Sequence, residues 1–197
     1  MAARFTVDDL IALAPPPEWR IDAGSPGGWE EVERTLGTAL PDDYKLITNI
    51  YGSGHFNDLF YLFNPFDSNG ESGNLINQAF RRDCFGLSEL DHYDEMRSID
   101  PRLCPFPTFP EPEGLLPLGG TLNGGHVFWL TERRSDDWPL ILYPHDYFPI
   151  ERRDMPLVDF LVQWLQGDLP DCFNGVGKHF VRRTEPIFRN GWRMGSD

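Results

Sequence analysis

The chain has 197 residues, 40% hydrophobic and 14% aromatic, which is the material of a globular domain and not of a disordered chain. Its formal net charge of −14 repels phosphate backbones and anionic lipid, which argues against nucleic acid or membrane as the main partner. No stretch reaches the ~20 apolar residues of a membrane helix, and Met1-Ala2-Ala3-Arg4-Phe5 meets Asp8-Asp9 without the apolar core of a signal peptide.

A first helix is expected over 7–13, capped by Thr6 with Asp9 three residues on. Val7, Leu10, Ile11 and Leu13 form its apolar face, and Pro15-Pro16-Pro17 stops it. Ser25-Pro26-Gly27-Gly28 reads as a linker. A second helix starts near Trp29, turns Trp29, Val32 and Leu36 inward, and ends at Gly37. A third begins at Pro41, with Asp42 and Asp43 at its positive end, and buries Tyr44, Ile47, Ile50 and Tyr51 before Gly52.

Residues 55–64 read as one aromatic strand, 73–82 and 88–98 as helices interrupted near Gly86, and the Pro-rich stretch 99–113 as irregular. Three short strands follow, over 115–118, 127–130 and 140–143, with a weaker fourth over 147–151. Asn123-Gly124-Gly125 is the hairpin signal between the first two, because these residues tolerate positive φ. The last helix, over 156–166, carries Leu157, Phe160, Leu161, Trp164 and Leu165 on one face. Residues 168–197 form a basic tail with a short strand expected over 179–184.

No pattern of catalytic chemistry stands out. The glycines from Gly119 to Gly125 precede a strand and not a helix, so they fit a hairpin better than a phosphate loop. Gly52-Ser53-Gly54-His55 lacks the spacing of a nucleophile elbow, and a helix C-cap turn accounts for both glycines. The five histidines form no HExxH, there is no CxxC, and Pro144-His145-Asp146 reads as a solvated turn, so no metal is expected. Cys84 lies beside Arg81 and Arg82, which can activate a thiol, although an unreactive cysteine is the commoner case. Cys84, Cys104 and Cys172 are odd in number and far apart, which points to reduced thiols and a cytoplasmic location. Trp29, Trp129 and Trp164 fall on core faces, while Trp138 and Trp192 stay unassigned. The chain is expected to be no enzyme, with no catalytic residues and no cofactor.

Residues 29–54 carry more than a helix pair. Trp29, Glu33, Leu36-Gly37, Leu40-Pro41, Asp43-Tyr44-Lys45, then Tyr51-Gly52 and Gly54, resemble the opening signature of the SUKH superfamily, which contains bacterial immunity proteins and fungal cell-wall-assembly regulators. Gly114-Leu115-Leu116-Pro117 with Gly119, Asn123-Gly124 and Phe128-Trp129 are similar to its central β-hairpin, and Phe160-Leu161 with Leu165 to its closing helix. The resemblance implies an α+β fold, a twisted, mostly antiparallel sheet with helices packed against it. The chain length fits one domain over 1–197; the resemblance spans a core at about 25–167, and the Pro-rich stretch 99–113 and the basic C-terminal extension over 168–197 do not match a minimal family domain. No catalytic residues are known for the family, so none are carried over; the motif residues read as structural.

The function implied is that of an immunity protein neutralising a cognate polymorphic toxin. The alternative is a non-catalytic scaffold or regulator of a cellular protein. Charge by itself is explained by solubility. Joined to the resemblance, it points to a basic, nuclease-type toxin, whose phosphate-binding cleft an acidic surface can occupy. Residues 1–170 hold 28 acids and 12 bases, for −16, whereas 171–197 hold 3 acids and 5 bases, for +2. Residues 83–113 hold eight acids against Arg97 and Arg102, for −6. Asp91, Asp94, Glu95, Glu111 and Glu113 are therefore the expected partner-binding residues, set against the plain alternative of a solvated helix face.

Overall fold

The computed structural model describes residues 3–68, 73–80, 89–122, 124–143, 150–169 and 188–190. Among them the chain runs α1 (Val7–Leu13), α2 (Pro26–Leu36), α3 (Asp42–Tyr51), β1 (Gly54–Phe56), β2 (Phe60–Leu62), α4 (Leu75–Phe80) and α5 (Glu89–Ile99). It continues through β3 (Leu115–Thr121), β4 (His126–Leu130), a 3-10 turn (Ser135–Asp137), β5 (Leu140–Tyr143), β6 (Glu151–Arg153), α6 (Leu157–Gln166) and β7 (Phe188–Asn190). The strands form one seven-stranded antiparallel sheet in the order β6-β5-β4-β3-β2-β1-β7. Six consecutive strands thus make a meander, and β7 closes the β1 edge. This is the α+β architecture expected from the sequence.

The pleat sends alternate residues of β3–β5 to opposite faces. Leu116, Leu118, Val127, Trp129, Leu140 and Leu142 join the main core with α1, α2, α3 and α6. Leu115, Phe128, Leu130, Ile141 and Tyr143 face the other way, onto Leu90 and Tyr93 of α5 and onto Cys104. Covered on both faces, these strands bury every residue, which is why their sequences read as unbroken apolar runs and not as alternation. Pro117 lacks an amide for the ladder, and the register slips by one residue between Pro117 and Gly119.

At the centre of the main core, Tyr44 stands edge-on to both Trp129 and Trp29, with centroids 4.9 and 5.7 Å away. The Tyr44 hydroxyl donates to the Phe63 carbonyl at 2.6 Å, and the Trp29 indole N–H to Asn49 Oδ1 at 3.0 Å. Trp29, Tyr44 and Trp129 are thus structural, and the polar tips of Trp29 and Tyr44 are satisfied inside the fold.

The helix ends follow the local chemistry. Thr6 and Asp9 form the expected capping box on α1, and Gly37 and Gly167 end α2 and α6 in the left-handed conformation. Four expectations change. α2 begins at Pro26 and not near Trp29, because Pro26 sits in the first turn, where its missing N–H costs nothing. The buried stripe of α3 includes Thr48 in place of Ile50, which is half-buried. The strand expected over 55–64 is a hairpin, turned by Asn57 and Asp58 at φ +53° and +54°. The tail contributes a strand at 188–190, while the one expected over 179–184 lies outside the described residues, as do Cys84, Cys172, Trp192 and His145-Asp146.

Carboxylates stitch elements that are distant in sequence. The Asp159 side chain of α6 accepts the backbone N–H of Arg4 at 3.0 and 2.9 Å and of Phe5 at 2.8 Å, holding the segment that enters α1. Glu33 of α2 accepts from the Leu40 amide at 2.9 Å and from Lys45 Nζ at 3.1 Å, which sets the turn into α3. Asp136, in the β4–β5 connector, accepts the Asp42 amide at 2.9 Å at the start of α3.

Candidate functional site

Two surface features separate from the packed core, and the first holds the acids expected to bind a partner. α5 turns Leu90 and Tyr93 onto the sheet, which leaves Asp91 and Glu95, four residues apart, on its outer side. Asp91 and Asp94 are half-buried, and Glu95 is exposed. Hydrogen bonds tie the Pro-rich segment to this helix: Phe106 N–H donates to the Tyr93 hydroxyl at 3.0 Å, and Thr108 Oγ1 to the Asp94 carboxylate at 3.1 and 3.2 Å. Burial pushes the Tyr93 phenol up, so it stays protonated.

From Thr108 the chain turns tightly into β3. The Glu111 amide donates to the Thr108 carbonyl at 3.0 Å, and the Gly114 amide to the Glu111 carbonyl at 3.0 Å. Glu111 and Glu113 stand exposed at the tip, and Glu113 adopts φ +57°, a conformation that favours glycine. The structure therefore joins Asp94 to the 108–114 turn through Thr108, and Asp91 and Glu95 share the helix with Asp94. Asp94 serves partly as a tether, which the spacing of the acids did not announce.

The second feature is an open cleft of about 440 Å³ between the α2–α3 turn and the β4–β5 connector. Leu40 and Trp138, both buried, lie at its base, and Lys45, Arg133, Arg134 and Asp136 line it. Lys45 is committed to Asp42 at 2.8 Å and Glu33 at 3.1 Å. Arg133 meets Glu132 at 3.3 Å through Nε, and Arg134 approaches Asp136 at 3.8 Å. No motif in the sequence marks the Arg133-Arg134 pair, which stands in a chain of net charge −14.

Groups that suggest chemistry in the sequence have structural duties. Ser53 is buried, its hydroxyl accepting from Asn64 Nδ2 at 3.0 Å and donating to Asp22 at 3.3 Å, so it organises the loop before α2. Gly52 has φ +68° and ends α3, but Gly54 is no cap residue: a Cβ there would strike the Arg189 carbonyl, so the glycine admits β7. Cys104 is buried, and burial pushes its thiol up, away from reactivity. Trp138 is buried and donates to the Arg133 carbonyl at 2.9 Å. Among the described residues, no three His, Cys, Asp or Glu side chains converge as a metal site, and no helix is long and apolar enough to cross a membrane.

The registers also align His55, Tyr61, Gly120, His126 and Tyr143 in one row across β1–β5. A Cβ at Gly120 would meet the Tyr61 hydroxyl, so the missing side chain makes room for that ring to lie across β3.

Helices on both faces of an antiparallel meander, a Trp–Tyr–Trp contact at its centre and surface features made of charge define a class: α+β domains of the SUKH superfamily. The family model described as SMI1-KNR4 cell-wall (SUKH_6) matches residues 27–161, from the first turn of α2 into α6, and the chain belongs to this family. SUKH domains are generally non-catalytic and act by binding other proteins. No curated protein and no solved structure matches the chain.

Proposed function

We propose that the chain is an immunity protein, acting in the cytoplasm, which binds and neutralises a cognate polymorphic toxin, a basic nuclease-type enzyme. The observation that carries this reading is the conjunction of a SUKH domain over 27–161 with a net charge of −14. Toxins that act on nucleic acid hold cationic clefts for phosphates, and an acidic surface competes for such a cleft by charge complementarity. Asp91, Asp94, Glu95, Glu111 and Glu113 supply that surface in this proposal, Glu95, Glu111 and Glu113 by direct contact and Asp94 also by fixing the loop on which the last two stand. The chain acts as one module of 197 residues: β7, from the basic extension, pairs with β1 inside the same sheet, which supports this reading.

The second reading is a non-catalytic scaffold or regulator of a cellular protein, favoured by the cell-wall description of the matching family model. Co-expression with the toxic product of a neighbouring gene separates the two. Restored growth, together with a complex that survives gel filtration, establishes immunity; unrelieved toxicity without a complex favours the regulator.

A further inference from the structure

The cleft at the α2–α3 turn has the opposite electrostatics to the rest of the molecule. In a chain of net charge −14, its lining holds Lys45, Arg133 and Arg134 against Asp42 and Asp136. The two carboxylates are already engaged, Asp42 by Lys45 at 2.8 Å and Asp136 by the Asp42 amide at 2.9 Å. Glu132, which touches Arg133, spends both oxygens on Arg152, at 3.0 and 2.7 Å. A guanidinium carries five N–H donors, so Arg133 and Arg134 keep donors to spare, and their side chains are 58% and 83% exposed.

The cleft is also pre-organised. Its connector is braced by the Trp138 indole N–H on the Arg133 carbonyl, by the Thr131 hydroxyl on the Gly114 carbonyl at 3.0 Å, and by the Asp137 amide on the Arg134 carbonyl at 2.8 Å. Ordering the backbone under the arginines therefore costs binding little. Arg133 and Arg134 are adjacent in the chain and both exposed, so an acidic peptide can present a separate carboxylate to each guanidinium, which one small anion cannot do.

We propose that this cleft binds an acidic peptide segment of the partner protein, with Arg133 and Arg134 gripping its carboxylates in the forked geometry of guanidinium–carboxylate pairs. The proposal rests on the reading of the chain as a protein-binding module and adds that the partner's contact surface is bipolar: basic toward α5, acidic toward the connector.

The test uses the full-length, isotope-labelled chain titrated with the peptide Glu-Glu-Leu-Glu-Glu, with Lys-Lys-Leu-Lys-Lys and with inorganic phosphate, while backbone amide resonances are followed. The acidic peptide is expected to shift amides of 38–45 and 131–138, and the basic peptide is not. Arg133→Glu combined with Arg134→Glu, both exposed and checked for folding by circular dichroism, is expected to weaken the acidic peptide at least about tenfold. Three outcomes overturn the assignment: no shifts at the cleft, equal binding by the reversed variant, or a phosphate response as strong as that of the peptide. Neutralisation is measured on the same variant. Toxin neutralisation without peptide binding removes the cleft and leaves immunity standing; peptide binding at the cleft without any neutralised toxin supports the cleft and removes immunity.

Discussion

The Asp43 carboxylate of α3 accepts the backbone N–H of Val158 at 3.0 Å, closing the first turn of a helix 115 residues further along the chain. α6 needs this help, since Pro156 occupies its N-cap and offers no side-chain acceptor. The second oxygen accepts the Tyr44 amide at 2.7 Å, so one side chain serves both helices. Asp43→Ala is expected to cost about 1–2 kcal/mol and Asp43→Asn less, read from urea denaturation midpoints.

The same carboxylate has a pH signature. Burial raises its pKa above the ordinary carboxylate value, against the pull of its amide donors. The folded state therefore holds the proton more tightly than the unfolded chain. The stability this linkage adds is complete below the unfolded pKa and is lost as pH rises through the raised folded value. Asp43→Asn has no proton to lose. Any advantage of the wild type over Asp43→Asn is expected to be largest in acid and to shrink toward neutral pH; a difference that grows with pH contradicts the assignment.

Asp159 gives a second prediction on the same face. It is buried, and its carboxylate holds the amides of Arg4 and Phe5. Removing it strands both donors at the entry to α1, so Asp159→Ala is expected to cost about 2–3 kcal/mol and to speed hydrogen exchange in residues 4–10 before exchange in the sheet.

Such long-range bonds mark the boundary of what the sequence conveyed. The capping box at Thr6, the glycine stops of α2 and α6 and the apolar runs of β3–β5 are local chemistry, and they were legible. The Asn57-Asp58 turn was not, because an almost continuous aromatic run on either side hides a polar pair that only φ distinguishes. β7 was missed because its pairing with Gly54–Phe56 is set by Phe188, which packs 4.9 Å from Tyr51 and 4.8 Å from Phe56, and not by local pattern. The acids of α5 could be placed by helical spacing, but the Asp94–Thr108 tether could not. The cleft depends on Asp42 meeting Asp136 across 94 positions, which no local motif encodes.

At the β6 edge, Arg152 bridges Glu132 and Asp154, with its Nη2 at 2.7 and 2.8 Å from the two carboxylates. The Arg152 guanidinium lowers the pKa of both. Each depressed pKa adds stability that is present above the unfolded carboxylate value and is lost as pH falls through the folded one. Arg152→Met is expected to lower stability slightly at neutral pH and low salt and to match the wild type in strong acid, so the acid limb of its stability profile is flatter; the loss is small because solvent and salt screen the pair. Thermal melts across an acid series check this, and an unaltered acid limb refutes it.

Glu113 separates the charge of the proposed interface from its backbone. Its φ of +57° is costly for a residue with a Cβ, and Gly114 beside it does not relieve the strain. Glu113→Gly is expected to raise stability by up to ~1 kcal/mol. Glu113→Asn, which tolerates the same conformation, removes the charge with little change in stability. Both should slow association with a basic partner by a similar small factor, because charges at an interface rim act mainly through the association rate. Reversing Glu95, Glu111 and Glu113 together to Lys should slow it by about tenfold or more at low salt, with the difference fading as salt is raised. Stopped-flow association rates decide the matter. If all three variants associate at the wild-type rate while remaining folded, the α5 and 111–113 acids are a solvated face and the partner binds elsewhere.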